Sequence, residues 1–315
     1  MQTTETKPHT RNEKILLIAM ILSMCTWGTS WTCAKVLGTY TNALNLSLMR
    51  FILVPLTLIP LTYFAKIKVN VNKKGWFHIV GASIFILLYT LFFFRGVHEG
   101  FPGAGGVLVT TINPIFAYII GLVISKILPS KQEYLGLLFG FLAGMVLLKV
   151  WDNTAAILDV GNVYFLLAAF VWAVMSKISS HANKFGNAIG FSLWTHITAA
   201  IILAYFVDFK EFQQLLTTAD TKFWLNILYF GIVNSALATT CFLYVTARIG
   251  AEKASTYIFI VPSTAVLTSF IFIGEQILWN TVVGGVLGIL AVFIINGKFN
   301  RKKKKKINVM RNIAR

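Results

Sequence analysis

Residues 103–114 read GAGGVLVTTINP, and a variant of that stretch, AEKASTYIFIVP, returns at residues 251–262 in the other half of the chain. The terminal prolines, Pro114 and Pro262, set an offset of 148 residues, and the same offset lays Gly136 on Gly284 and Gly140 on Gly288. The match therefore runs on into the next apolar segment without an insertion, which is the signature of a duplicated unit. Each copy opens on small residues and meets proline inside an apolar run, a pattern that lets helices pack closely and releases a backbone carbonyl. Interruptions at matching places in two halves point to a binding site in a duplicated membrane carrier.

Composition fixes the class. The 315 residues are 57% hydrophobic and 12% charged, with a mean hydropathy of +0.73, too apolar for a soluble protein of this length. The apolar runs approach the roughly 20 residues a helix needs to cross a bilayer and do not alternate as barrel strands do. The expected fold is an all-α membrane protein with ten transmembrane helices arranged as two inverted five-helix repeats. The spans are placed at 15–34, 44–65, 77–97, 103–125 and 134–150, then 160–180, 187–207, 223–247, 252–273 and 277–296. This divides the chain into an N-terminal tail (1–14), a first repeat (15–150), a second repeat (160–296) and a polybasic tail (298–315).

The net charge of +17 does not imply nucleic acid, because Lys and Arg gather between the spans. With the N-terminus inside, 22 of the 28 fall on the cytoplasmic side, nine of them in the tail beyond residue 297. Such a bias places both termini in the cytoplasm of an inner-membrane, multi-pass protein and sets the tail against anionic lipid. Five crossings per copy reverse the second copy, so the halves must be inverted about an axis in the membrane plane, the architecture of alternating-access carriers. Cys25, Cys33 and Cys241 all fall within spans and give no disulfide framework.

The tryptophan-glycine start at Trp27, Met49-Arg50-Phe51 in the second span, the glycine-rich run to Asn113-Pro114, its copy ending in Pro262, and Gly274-Glu275-Gln276 together resemble the EamA family of the drug/metabolite transporter superfamily. The resemblance covers residues 15–296. It implies a ten-helix permease that moves amino acids or other metabolites, often outward, with the third and fourth helices of each half lining a central cavity. Ile127 stands where the offset would repeat Glu275, so that acid is not used twice.

The residues expected to bind a small-molecule substrate are Trp27, Ser30, Arg50, Tyr89, Asn113, Trp172, Asn234, Thr239 and Tyr244. Hydroxyls, amides and ring faces can orient a polar solute without burying many charges. Arg50, seven residues into its span, could fork a carboxylate, or could snorkel to the outer surface. His196 is the mid-span histidine and the candidate for proton coupling, with a structural hydrogen bond as its alternative. No acidic residue falls mid-span, so no buried carboxylate is offered for ion coupling. Pro114 and Pro262 are the candidate helix breaks for gating. Gly136, Gly140, Gly144, Gly284 and Gly288 form small-residue faces, read as packing within one chain rather than between two copies.

No cofactor or metal is expected. An intramembrane enzyme would need a nucleophile, an acid pair or clustered ligands within the spans, and the sequence supplies no such motif. A non-transporting receptor or assembly subunit would not require the inverted duplication. Within transport, the alternative to amino acids is a carrier for nucleotides or other anionic cofactors, which would bring Lys35, Arg50 and Arg95 onto the pathway.

Overall fold

The computed structural model describes residues 11–99, 102–126, 128–152, 160–273 and 279–296. The first part of the chain forms α1 (Arg11–Leu37), α2 (Ala43–Phe64), α3 (Lys73–Glu99), α4 (Pro102–Ser125) and α5 (Lys131–Leu148). The second forms α6 (Val160–Ser179), α7 (Ala188–Ala204), α8 (Phe209–Thr218), α9 (Thr221–Leu228), α10 (Thr240–Ile249), α11 (Ala251–Thr256), α12 (Val261–Ile273) and α13 (Trp279–Asn296). A π-helical run, Tyr229–Thr239, joins α9 to α10, and a 3-10 turn, Tyr257–Ile260, joins α11 to α12.

Among the described residues, seven helices are long and apolar enough to cross a bilayer, or eight if the α7 and α8 pair counts as one span. The chain is a multi-pass membrane protein. Its outer surface carries Leu56, Ile59, Val123, Ile124, Ile201 and Phe293 exposed, while Ser47, Arg50, Ser83, Thr90, Asn113, Ser192, Thr195, Asn234 and Ser235 are buried. Apolar outside and polar inside is the arrangement that hydrocarbon solvent selects, because polar groups there must find partners within the protein. The polybasic tail, the Glu275 motif and Ile127 lie outside the described residues.

Helix ends follow local chemistry. Asn42 caps α2 through the Asn45 amide, and Ser130 and Glu133 form a reciprocal capping box on α5. Asp208 and Asp220 cap α8 and α9. The sequence reading had residues 208–222 as a connection. Instead, Phe209, Phe212, Leu215 and Leu216 recur at helical spacing, and the resulting short amphipathic helix turns 111° away from α7.

The packing exchanges partners between the two parts of the chain. α5 packs along α13; α6 packs on α3 and α4, while α1 packs on α12 and on the π segment with its flanks; α2 meets the π segment, and α3 meets α7. Glycine allows the tightest of these approaches. A Cβ at Gly136 would lie 2.3 Å from Ile295, and one at Gly140 would lie 2.1 Å from Phe259. Gly144 faces Thr111, Gly284 faces Leu147, and Gly288 faces the Phe259 carbonyl. These five glycines thus abut residues of the same chain. Gly140→Val should therefore overpack the α5 seam and lower stability by about 1–3 kcal/mol, read as a fall in the thermal midpoint in detergent; an unchanged midpoint would show that the seam opens freely.

Candidate functional site

A cavity of about 530 Å³, including its open mouth, lies within the bundle. α1 contributes Trp27, Ser30 and Trp31; α2 contributes Arg50; α3 contributes Tyr89 and Phe93; α4 contributes Val109, Thr110 and Asn113; and α6 contributes Trp172. From the other copy of the quoted stretch come Ile258 and Val261, and the π segment supplies Phe230, Asn234 and Thr239.

Of the residues expected at a binding site, Trp27, Ser30, Arg50, Tyr89, Asn113, Trp172, Asn234 and Thr239 meet in this cavity. Tyr244 does not line it. Its hydroxyl accepts a hydrogen bond from Arg248, whose guanidinium lies 4.2 Å from its ring centre. Pro114 and Pro262 flank the lining residues Asn113 and Val261. Pro114 sits within a continuous α4, whereas the chain before Pro262 tightens into the 3-10 turn, so only the second copy shows the break.

Arg50 does not snorkel. It is 3% exposed; Nε donates to Ser235 Oγ at 2.6 Å and Nη1 to Thr90 Oγ1 at 3.2 Å, and the guanidinium lies 5.2 Å from the Phe230 ring centre. Both hydroxyls already donate to carbonyls, Ser235 to Phe230 and Thr90 to Ile86, so each uses a lone pair to hold Arg50. Ser235 and Asn234 reach their places because the π run widens the helix by one residue, and Ser235 and Thr239 both bond five residues back. This π segment gave no signal in the apolar periodicity.

The walls are aromatic. Trp27 and Trp172 meet edge to face at 5.0 Å, Tyr89 lies 4.6 Å from Trp172, and Phe242 backs both tryptophans. Trp31 packs on Phe93 and Phe165 in the core. Among the described residues, three buried polar atoms of lining residues have no partner: the indole nitrogens of Trp27 and Trp172, and Asn113 Oδ1. Asn113 Nδ2 meanwhile donates to the Ala169 carbonyl at 2.9 Å, which ties α4 to α6. The lining residues thus carry two indole donors and one amide acceptor without a partner among the described residues, besides the Arg50 guanidinium, a hydrogen-bonding set complementary to a solute with a carboxylate and at least one N–H.

His196 is fully buried outside the lining. Its Nδ1 lies 2.8 Å from the Ser192 carbonyl, its ring packs edge-on against Phe51, and Nε2 has no hydrogen-bond partner among the described residues. A local hydrogen bond on its own helix holds it. Sequence reasoning missed Trp31, Phe93, Val109, Phe230, Ile258 and Val261 as lining residues, because nothing local distinguishes an apolar side chain facing a cavity from one facing a neighbour.

Comparison with known proteins places these features in context. Residues 14–149 and 159–297 each match the EamA-like transporter family. The uncharacterized transporter YoaV of Bacillus subtilis (strain 168) is 24% identical over 91% of this chain and 99% of its own length, and the uncharacterized transporter YyaM of the same organism is 25% identical over 76% and 81%. A probable terminal-alkyne amino-acid exporter of Streptantibioticus cattleyicolor is 30% identical over 25% of this chain and 27% of its own. A solved crystal structure, 14% identical, superposes with a TM-score of 0.69 over 89% of this chain and 96% of that one, a likeness of fold.

Proposed function

Because the chain belongs to the EamA-like transporter family, we propose that it is an inner-membrane permease that exports small zwitterionic metabolites, amino acids foremost, by alternating access around the cavity. The observation that carries this reading is the lining itself: one cation, Arg50, amid tryptophans, tyrosine and neutral polar groups. A carboxylate would lie on Arg50 and the indole N–H groups, and an ammonium would lie on ring faces and Asn113 Oδ1. The nucleotide alternative needs Lys35 and Arg95 on the pathway. Both are exposed instead, and Arg95 sits 3.8 Å from Glu99.

The proposed architecture is ten spans in two inverted five-helix repeats, residues 15–150 and 160–296, acting as a monomer. It is supported by the exchanged packing, in which the first helix of each half lies on the third and fourth of the other and the last helices lie together. The lysine bias supports cytoplasmic termini, with residues 298–315 against anionic lipid.

In proteoliposomes preloaded with mixed solutes, unlabelled amino acids should drive counterflow of a labelled one, and the corresponding decarboxylated amines should not. Counterflow confined to nucleotides, or equal for acids and amines, would overturn the substrate assignment.

A further inference from the structure

We propose that Lys177 and Glu252 form a latch that shuts one end of the bundle, and that the duplication does not repeat this pair at the other end; the inference rests on the alternating-access reading above. Lys177 lies near the end of α6 and Glu252 at the start of α11, with Nζ 2.5 Å from Oε1 and side-chain exposures of only 12% and 24%. Partial burial matters here, since exposed ion pairs contribute little, whereas shielding from water strengthens the attraction.

The pair joins more than two elements. The Glu252 carboxylate lies against Gly121 of α4, where a Cβ would come within 2.4 Å of Oε1, so a glycine is what admits it. Alongside, Tyr118 of α4 donates its hydroxyl to Glu133 of α5 at 3.2 Å, and Lys253 acts on that carboxylate electrostatically. The later turns of α4 and α6 and the first turns of α5 and α11 are thus tied together. Ile258, a lining residue, follows Glu252 by six positions, so the latch stands roughly 9 Å along the chain from the cavity at about 1.5 Å per residue.

Duplication identifies what the opposite end has instead. Lys177 falls five residues after Trp172, and Glu252 ten before Pro262; the same registers in the first half hold Thr32, five after Trp27, and Ala104, ten before Pro114. Inversion of the repeats carries those positions to the other membrane face, and neither residue bears a charge. The two closures are therefore chemically unequal. The end that carries Lys177, cytoplasmic by the lysine count, is the one held shut electrostatically, and separating that pair becomes a step of every cycle.

The test is reaction of an Ile258→Cys variant with a membrane-impermeant thiol reagent applied to one face at a time of sealed, oriented vesicles, taken as the increment over the chain without that substitution. From the Lys177 face, the intact pair should give slow labelling. Glu252→Gln should accelerate it by about tenfold or more, Lys177→Gln should do the same from the other side of the pair, and the exchange Lys177→Glu with Glu252→Lys should restore slow reaction. Labelling unchanged in both single variants, or fast in the exchanged pair, overturns the latch and leaves the transport reading intact. Labelling from neither face in any variant would show that the cavity never opens, and both readings fall.

Discussion

Arg50→Leu loses carboxylate-dependent transport while keeping the fold. Truncating one partner of a buried charged contact weakens binding by about 2–5 kcal/mol, so affinity for a carboxylate-bearing solute should fall by roughly thirtyfold to several thousandfold at 1.4 kcal/mol per tenfold. The fold should survive because Ser235 and Thr90, which hold the guanidinium, each keep a hydrogen bond to a carbonyl of their own helix. No carboxylate pairs with Arg50 among the described contacts, so leucine removes a desolvated cation and strands no protein anion. Arg50→Lys keeps the charge but not the fork, and should recover only part of the affinity. Equilibrium binding and thermal unfolding in detergent check the two halves of this expectation. Full transport by Arg50→Leu would remove the anion-binding role and return the residue to helix packing.

Trp172 separates the wall from the donor. It is 3% exposed and packs on Trp27, Tyr89 and Phe242, so Trp172→Ala should lose about 3–5 kcal/mol of stability and transport with it. Trp172→Phe keeps most of the ring contacts, at a penalty of about 1.5 kcal/mol or less, but deletes an indole N–H that has no acceptor among the described residues. Its affinity for a carboxylate should drop by roughly ten- to a hundredfold, since a hydrogen bond to a charged group is worth about 1.5–3 kcal/mol. Equal affinity in the phenylalanine variant and the parent, measured by titration, would mean that the indole serves packing alone.

How far the site was legible differs residue by residue. Arg50, Asn113 and Asn234 stand out in any apolar chain because burying a polar group demands a partner, and all three line the cavity. Tyr244 carries the same sequence signal and does not line the cavity, because Arg248 four residues on offers its hydroxyl and ring a local partner. Trp31 carries no local sign of where it packs, since its neighbours Phe93 and Phe165 come from distant helices. Lys177 and Glu252 are 75 residues apart, and no local rule pairs them.

The sequence by itself determined the solvent and the elements. Hydrocarbon excludes unpaired backbone groups, so apolar runs of this length must be helices, and the seven spans long and apolar enough to cross a bilayer end within a few residues of their expected positions. The offset between Pro114 and Pro262 likewise needs no structure, because duplication is written in residue order. Only the tertiary structure decided which faces meet: the π run that turns Ser235 toward Arg50, the 3-10 turn before Pro262 in one copy alone, the seat of α8, and the ion pair over Gly121. The physical reason is range. Backbone propensity and solvent act on neighbours along the chain, whereas side-chain pairing inside a bundle depends on helix rotation and depth, which are set by close packing between segments that residue order keeps far apart.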